Sequence, residues 1–450
     1  MKSRRGCLHE YSRTFEREII KFLEPPQNKS APGRLPSRTL RPGKEGINVR
    51  QTFAALKYPN YRLWFFGQMV SLIGTWMQST AQAFLIYELT KSPAYLGYVG
   101  FISGVPTWLF TLYGGVIADR MPRRTLLVIT QASMLILAFI LAALTFTGLV
   151  QPWHILVLAF LLGIANAFDA PARMSFVLEM VDREDMTNAI ALNSMMFNSA
   201  TAVGPAAAGL TYAALGPAWC FTLNGFSFVA VIIALLLMKL QPWHATEVKN
   251  STMQDIKVGI QYVISHSLIR VLILGIGVMT TFGLGFVALL PAWAVTVVGG
   301  DATTNGLLQS ARGVGALIAA LIIASMSRFN GKGRMLTLGS FLFPLFLFIF
   351  ALIRWLPASL LLLVVVGWAF MLVANLTNAL VQTQVQDDLR GRVMGVYTLV
   401  FNGMFPIGSL LAGTLAERIS EPVAVMAMAV VLMAYSLFAF LFFPQIRKAS

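Results

Sequence analysis

The chain is organised around the stretch Gly114-Gly115-Val116-Ile117-Ala118-Asp119-Arg120-Met121-Pro122-Arg123-Arg124, which we call the hinge. The apolar runs on either side, Pro93 to Ile117 and Thr125 to Gly148, are each long enough to cross a bilayer core of roughly 30 Å as a helix. The hinge is therefore predicted to be a tight turn at a membrane surface. Because arginine-rich short loops stay in the cytoplasm, its arginines also predict the orientation of the remaining chain.

Composition indicates a polytopic membrane protein. Of the 450 residues, 57% are hydrophobic and only 12% are charged, which a soluble surface cannot accommodate. The formal net charge of +15 would suggest nucleic acid binding in a soluble chain. Here the basic residues concentrate in the N-terminal arm and the predicted cytoplasmic loops, so no nucleic acid partner is expected. Cys7 and Cys220 are too distant in this arrangement to form a disulfide.

Twelve apolar runs follow one another, six on each side of a polar linker at residues 239–267. Backbone amides inside a bilayer must be satisfied without water, so each span is expected to be helical. The expected spans are Arg62–Tyr87, Pro93–Ile117, Thr125–Gly148, Trp153–Leu178, Thr187–Leu215, Trp219–Met238, Leu268–Val298, Asn305–Ser327, Met335–Ile353, Ser359–Gln384, Val393–Leu415 and Pro422–Phe443. Residues 1–56 are predicted to be a largely disordered cytoplasmic arm, and residues 444–450 a cytoplasmic tail.

The two sets of six spans resemble each other. Phe197-Asn198 in the fifth span corresponds to Phe401-Asn402 in the eleventh, and the glycines that follow also correspond. We therefore expect an all-α integral membrane fold, with twelve transmembrane helices in two pseudo-symmetric halves, residues 57–238 and 268–443. A cavity is expected between the halves. The candidate helix-interface residues are Gly204, Pro205, Gly209, Gly408 and Gly413, because small residues allow close helix approach.

Polar residues recur at steps of three and four on five spans, which places each set on one face of a helix. For a single set, interhelical hydrogen bonding is a sufficient explanation. Five sets together favour a shared aqueous cavity. The candidates for a substrate or proton path are Gln68, Gln78, Gln82, Asn166, Asp169, Arg173, Asn198, Gln309, Arg312, Asn375, Asn378 and Gln382.

Three of these candidates, Asp169, Arg173 and Arg312, are charged residues within predicted spans. A charged side chain at a bilayer centre costs roughly 2.5–3.5 kcal/mol on insertion scales. Asp169 and Arg173 are i, i+4 partners, which suggests a gating or helix-packing pair, with proton coupling as the alternative. Arg312 either faces the cavity or extends its charge toward the outer surface.

The hinge resembles the loop between the second and third helices of the major facilitator superfamily. The matching residues are Gly115, Asp119, Arg120, Arg123 and Arg124, while Pro122 stands where that pattern has glycine. The stretch from Asn166 to Arg173, followed by Gly204-Pro205, is similar to the branch containing the enterobactin exporter and macrolide-efflux-like proteins. This resemblance implies the major facilitator fold in a bacterial inner membrane. With the arginine-rich hinge in the cytoplasm, both termini and the linker are expected on the same side.

The resemblance favours a cytoplasmic latch formed by the hinge. The helix macrodipole disfavours a carboxylate at the C-terminal end of a helix by about 0.3–1 kcal/mol, so another group must stabilise Asp119. Its candidate partners are Arg123 or Arg124, Arg183, and the start of the eleventh helix near Arg392. The alternative is that Asp119 only neutralises an arginine-rich turn. The candidate latch residues are Gly115, Asp119, Arg120, Arg123, Arg124 and Arg392.

Motifs of catalysis are absent from the sequence. It has no Gly-x-x-x-x-Gly-Lys-Ser/Thr loop, and its histidines show no metal-ligand spacing, so no enzyme activity, cofactor or metal is expected.

Together with the resemblance, this implies a secondary active transporter working by alternating access. The expected activity is proton-coupled export, by antiport, of a medium-sized amphipathic molecule such as a siderophore or a drug-like compound. The alternatives are a transporter-like receptor or scaffold without flux, and an importer of the same fold. The expected partners are a small-molecule substrate, the lipid bilayer and a proton gradient, and the chain is expected to be monomeric.

Overall fold

The computed structural model describes residues 53–240, 252–325 and 331–448. The predicted N-terminal arm up to residue 52 and much of the polar part of the linker lie outside the described residues. Within described helices, the side chains of Leu112, Asp119 and residues 252–255 and 324–325 also lie outside the description. The predicted latch contact of Asp119 is therefore not described.

Six long helices form the first helix set. They are α1 (Pro59–Thr90), α2 (Pro93–Arg120), α3 (Arg123–Phe146), α4 (Pro152–Glu179), α5 (Met186–Leu215) and α6 (Pro217–Leu237). A proline stands in the first turn of α1, α2, α4 and α6. There its fixed φ suits a helix start, and its missing N–H removes no helical hydrogen bond.

A second helix set follows the linker. It contains α7 (Thr252–Ser265), α8 (Ser267–Val278), α9 (Leu290–Thr296), α10 (Ala302–Ser325), α11 (Lys332–Leu352), α12 (Leu356–Gln384), α13 (Asp387–Arg418), α14 (Glu421–Phe442) and the short α15 (Gln445–Lys448). The predicted linker thus includes a helix, α7. Across the three described ranges no residue is in a β-strand.

The predicted seventh span is not a regular α-helix along its length. Between α8 and α9, residues Met279–Leu284 are π-helical and Gly285–Leu289 are 3-10 helical. A Cβ atom placed on Gly285 would lie 2.5 Å from the carbonyl oxygen of Gly408 in α13. Glycine therefore allows α13 to pack closely against this irregular segment.

Nine described helical segments are long and apolar enough to cross a membrane. They are α3, α4, α6, the composite segment Ser267–Thr296, and α10 to α14. The helices α1, α2 and α5 are not among the nine, although they have 32, 28 and 30 residues and pack against helices that are. The glutamines of α1 and the asparagines of α5 lower the mean hydropathy of these two helices.

Two seams join the helix sets: α2 packs along α13, and α5 packs along α10. In the first seam, a Cβ atom placed on Gly413 would lie 2.7 Å from the carbonyl oxygen of Pro93. In the second, a Cβ atom on Gly209 would lie 2.8 Å from the carbonyl oxygen of Ala302. The paired backbones approach so closely that a side chain larger than hydrogen requires the helices to move apart.

These close contacts lie at one end of the bundle. We call the end where Met121 and Pro122 connect α2 to α3 the hinge end, and the end where Lys91 and Ser92 connect α1 to α2 the opposite end. Pro93 and Ala302 are the first residues of their helices, so both contacts belong to the opposite end. There the two helix sets meet directly.

Candidate functional site

A cavity of about 540 Å³ lies between the two helix sets. We call it the central cavity; its wall includes Arg173 and Met174 of α4, Asn193, Phe197 and Asn198 of α5, Ala320 and Ile323 of α10, and Asn375 of α12. Arg173 lies near the end of α4 and Asn193 near the start of α5, which places the cavity toward the hinge end. Its polar groups are a guanidinium, amides and the Ser194 hydroxyl.

A second cavity of about 160 Å³ lies beside the central cavity, within the first helix set. We call it the side cavity; its wall includes Gln68, Thr75 and Trp76 of α1, Gln131 of α3, Asn166 and Asp169 of α4, and Phe228 of α6. Leu72, Arg173 and Phe197 line both cavities. Arg173 therefore stands at the junction of the two spaces.

Asp169 is held by a network that reaches α3. Its side chain is almost fully buried, with 1% of the residue exposed. Its Oδ1 atom accepts hydrogen bonds from Thr130 Oγ1 at 2.8 Å and from Gln131 Nε2 at 2.9 Å, and its Oδ2 atom lies 3.7 Å from Arg173 Nε. A buried carboxylate requires such partners because desolvation disfavours its charge.

Sequence reasoning missed the contribution of α3 to this network. Thr130 and Gln131 are adjacent in sequence, so they do not form a polar set at steps of three and four. Thr130 and Gln131 are 4% and 2% exposed, as residues shielded from lipid should be. Two adjacent polar residues in an apolar helix were the available signal.

The Arg173 guanidinium is only partly engaged by Asp169. About a quarter of the Arg173 side chain is exposed, and its contact with Asp169 at 3.7 Å involves the Nε atom. In the described ranges no other hydrogen bond or ion pair to Arg173 is present. Its remaining N–H donors are therefore available to a molecule in either cavity.

The two cavities bring together part of the predicted path. Gln68 and Asn166 line the side cavity, and Asn198 and Asn375 line the central cavity. The Asn198 amide also donates to the carbonyl oxygen of Ser194 at 2.8 Å. These residues come from α1, α4, α5 and α12, so the faces predicted from periodicity converge on a shared space.

Other predicted path residues lie in interhelical contacts. Gln78 Oε1 accepts a hydrogen bond from Asn224 Nδ2 at 2.7 Å, which joins α1 to α6. Gln309 Oε1 accepts a bond from Thr80 Oγ1 at 3.4 Å, which joins α10 to α1 across the helix sets. Gln82 is buried and lines neither cavity.

Two further candidates belong to the second helix set. On α12, the Gln382 amide donates to Asn378 Oδ1 at 2.5 Å. On α10, the buried Nε atom of Arg312 has no hydrogen-bond partner among the described residues. Arg312 lines neither cavity.

The hinge arginines contact the first helix set. Arg123 pairs with Glu179 at the end of α4. The Nη2 atom of Arg124 donates to the carbonyl oxygen of Leu236 at 2.8 Å, at the end of α6. Arg120 is exposed, Arg392 lies near the start of α13, and a Cβ atom on Gly115 would have open space around it. The arginines after α2 thus tie the hinge to α4 and α6.

The predicted helix-interface residues occupy different interfaces. Gly209 and Gly413 lie in the two seams between the helix sets, and the carbonyl oxygen of Pro205 lies against Gly306 of α10. Gly204 instead faces α1, where a Cβ atom would lie 2.5 Å from Trp76 Cβ. Gly408 faces the π-helical segment within the second set.

The profile of a protein family described as transmembrane secretion effectors matches residues 50–449. The chain belongs to this family. It is therefore a membrane transporter of the major facilitator superfamily and not an enzyme.

Curated relatives agree with the family assignment. The transporter is 27% identical to the staphyloferrin A transporter of Staphylococcus aureus, over 79% of this chain and 89% of that protein. It is 25% identical to the multidrug efflux pump Tap of Mycolicibacterium fortuitum, over 85% and 95% of the two chains. It is 24% identical to the enterobactin exporter EntS of Shigella boydii, over 82% of this chain and 87% of that protein.

Solved structures share the fold of the transporter. The nucleoside transporter NupG superposes with a TM-score of 0.63 at 17% identity, over 86% of this chain and 99% of that one. A second match is an inward-facing, unoccupied structure of a bacterial homologue of the human lysosomal transporter Spinster. It superposes with a TM-score of 0.64 at 14% identity, over 89% of this chain and 99% of that one. At these identities the likeness concerns the fold alone.

Proposed function

We propose that this transporter is secondary active and works by alternating access, with twelve spans in two six-helix halves. The observation that carries the proposal is the central cavity, because its wall comes from both helix sets while the sets meet at the opposite end. Two bodies that touch at one end of a shared cavity can expose it alternately by pivoting at their seams. In this arrangement α1, α2 and α5 complete the twelve spans.

The arginines of the hinge support a cytoplasmic position for the hinge end. Both termini would then be cytoplasmic in a bacterial inner membrane, and the structure would correspond to the state facing the cytoplasm. The hinge residue Asp119 and Arg392, near the start of α13, would form a latch that closes this end in the alternate state. The protein would act as a monomer, since each chain contains both halves.

Export is the direction that the relatives favour, because they include an enterobactin exporter and a multidrug efflux pump. The expected substrate is a medium-sized amphipathic molecule such as a siderophore or a drug-like compound. The central cavity is large enough to hold part of such a molecule and offers amides beside apolar side chains. Energy would come from a proton gradient, with the buried Asp169 as the candidate proton carrier.

Transport is tested by first identifying candidate substrates among the cell's metabolites. Candidate substrates are compounds that accumulate inside cells when the gene is deleted and disappear from the medium. The purified protein in liposomes should exchange a labelled candidate for unlabelled candidate, and an imposed pH gradient should drive its accumulation. Protein-free liposomes are the control. Absence of exchange for every such candidate would support the alternative, a receptor or scaffold without flux.

Direction is tested separately in cells. An exporter lowers the intracellular content of its substrate when it is expressed, whereas an importer raises it. Accumulation on expression would therefore support the second alternative, an importer of the same fold.

A further inference from the structure

We infer that the transported molecule is an organic anion, bound by Arg173 in the central cavity and passed toward Arg312 as the halves pivot. The inference rests on the proposed transport function and adds a substrate class to it. Nothing in the family assignment supplies that class, because the relatives carry molecules of different chemistry by their names.

Three charged side chains lie well inside the described helices. In the described ranges only Asp169, Arg173 and Arg312 are charged and lie six or more residues from both ends of their helices. These helix interiors therefore contain one carboxylate and two guanidinium groups, and arginine stays charged even when buried. A buried charge without a partner is costly, so the interior of the bundle favours a molecule that brings negative charge.

Asp169 and Arg173 differ in how accessible they are to a molecule in the central cavity. Asp169 is 1% exposed, and its Oδ1 atom is already bonded to Thr130 and Gln131. The Arg173 side chain is about a quarter exposed and borders both cavities. A molecule in the central cavity thus meets the cation of this pair rather than the anion. Asp169 acts as a positioning residue that orients the guanidinium.

Arg312 is a second cation, located further toward the opposite end of the bundle. It lies on α10 eleven residues before Ile323, which lines the central cavity. A spacing of eleven residues returns to nearly the same helix face, about 16 Å further toward the opposite end. The buried Nε atom of Arg312 has no hydrogen-bond partner among the described residues. Arg312 is therefore placed to receive an anion from Arg173 once the opposite end opens.

The test uses two dyes with the same ring system and opposite charge, fluorescein as the anion and rhodamine 123 as the cation. Binding to the purified protein is measured by fluorescence anisotropy at a pH where fluorescein is a dianion. We expect fluorescein to bind at least about tenfold more tightly, because hydrogen bonds to charged groups contribute strongly. Equal binding of the two dyes, or a preference for rhodamine 123, overturns the inference.

Variants separate Arg173 from its neighbour. Arg173→Gln should weaken fluorescein binding about tenfold or more and leave rhodamine 123 binding unchanged, while Arg173→Lys should give an intermediate affinity. Asp169→Asn keeps the cation but removes the charge that orients it, so fluorescein binding should weaken less than it does in Arg173→Gln. The double variant Asp169→Asn/Arg173→Gln removes both charges, so it avoids an unpaired buried carboxylate and should match Arg173→Gln. An equal loss for both dyes in Arg173→Gln would show a purely structural pair.

Flux distinguishes this inference from the proposed function. Arg312→Gln should slow fluorescein uptake into proteoliposomes to about one tenth while changing its affinity less than Arg173→Gln does. Unchanged uptake removes Arg312 from the path. Uptake of rhodamine 123 without fluorescein binding would overturn the inference and leave transport standing, whereas fluorescein binding without flux of either dye would overturn transport and leave the anion site standing.

Discussion

The Ser92 hydroxyl donates a hydrogen bond to Glu417 Oε2 across 2.7 Å, and the same carboxylate oxygen lies 3.2 Å from the backbone nitrogen of Ala94. Ser92 precedes α2 and Glu417 lies one residue before the end of α13. A carboxylate from the second helix set thus caps the start of a helix in the first set. Such a contact is favourable because the unpaired N–H groups at a helix start carry partial positive charge.

Glu417→Gln should loosen the opposite end of the bundle. A carboxylate at an exposed helix start contributes about 0.3–1 kcal/mol, so the population open at that end should rise by a factor of roughly 2 to 5. Spin labels near the start of α2 and the end of α13 would report the change as a longer distance component. Arg418→Gln, one residue further along α13, is the control and should leave the distances unchanged. An unaltered distribution in Glu417→Gln would show that the cap does not affect opening.

Thr130→Val should destabilise the protein, because Asp169 would lose one of its hydrogen-bond donors in a buried position. Leaving a buried carboxylate less satisfied costs about 1–3 kcal/mol, which a thermal unfolding assay in detergent should detect as a lower midpoint. Ser133→Ala on the same helix is the control, since the exposed Ser133 hydroxyl bonds only to the carbonyl oxygen of Ile129. Equal midpoints for the two variants would argue against a structural role for Thr130.

Gly413→Ala should force α2 and α13 apart. The new methyl group would lie 2.7 Å from the carbonyl oxygen of Pro93 and 2.8 Å from Gly97 Cα, and backbone atoms cannot yield as a side chain does. We expect a loss of about 1–3 kcal/mol in stability, or greater exposure of the opposite end to a thiol reagent at an introduced cysteine. Gly395→Ala on the same helix has open space and is the matched control. Tolerance of both changes would refute the close seam.

Asp119→Asn should abolish transport, with a rate below about one tenth of the original, while membrane insertion and monodispersity are retained. The physical reason is the proposed latch, which needs a negative charge at the end of α2 to meet a positive group. Glu179→Gln is the control for local disruption, because it releases Arg123 without altering α2. Normal transport by Asp119→Asn would remove the latch.

Acid should release residues 54–58 from the start of α5. Lys57 Nζ lies 2.6 Å from Asp185 Oδ2, and the hydrogen bonds from Lys57 and then Tyr58 lower the pKa of Asp185 below 3.8. A lowered pKa in the folded state means that this stabilisation is present above the ordinary carboxyl pKa and is lost as pH falls through the lowered value.

Hydrogen exchange of residues 54–58 should therefore accelerate as the pH falls below about 4, after correction for the intrinsic rate. Asp185→Asn should exchange quickly at every pH, since it lacks the titrating group. A pH-independent protection in the original protein would contradict the role assigned to Asp185.

The class of fold, most of the helices and the pair on α4 follow from local properties of the sequence. Hydropathy over some twenty residues and prolines at helix starts are local properties, so most helix bounds follow from them within a few residues. The start of α13 is an exception, because it lies six residues before the predicted Val393. The i, i+4 spacing brings Asp169 and Arg173 together on any α-helix. The glycines of α2, α5 and α13 are equally visible in the sequence, although their partners are not.

Which polar residues face the cavities and which join helices depends on how the helices pack. Gln68 and Gln78 belong to the same predicted face of α1, yet Gln68 lines the side cavity and Gln78 bonds to Asn224 of α6. Periodicity gives the face of a helix, whereas the partner of that face depends on how neighbouring helices are rotated and how closely they approach. For the same reason the contacts of Asp169 with α3, and of Glu417 with Ser92, follow from packing between segments distant in sequence.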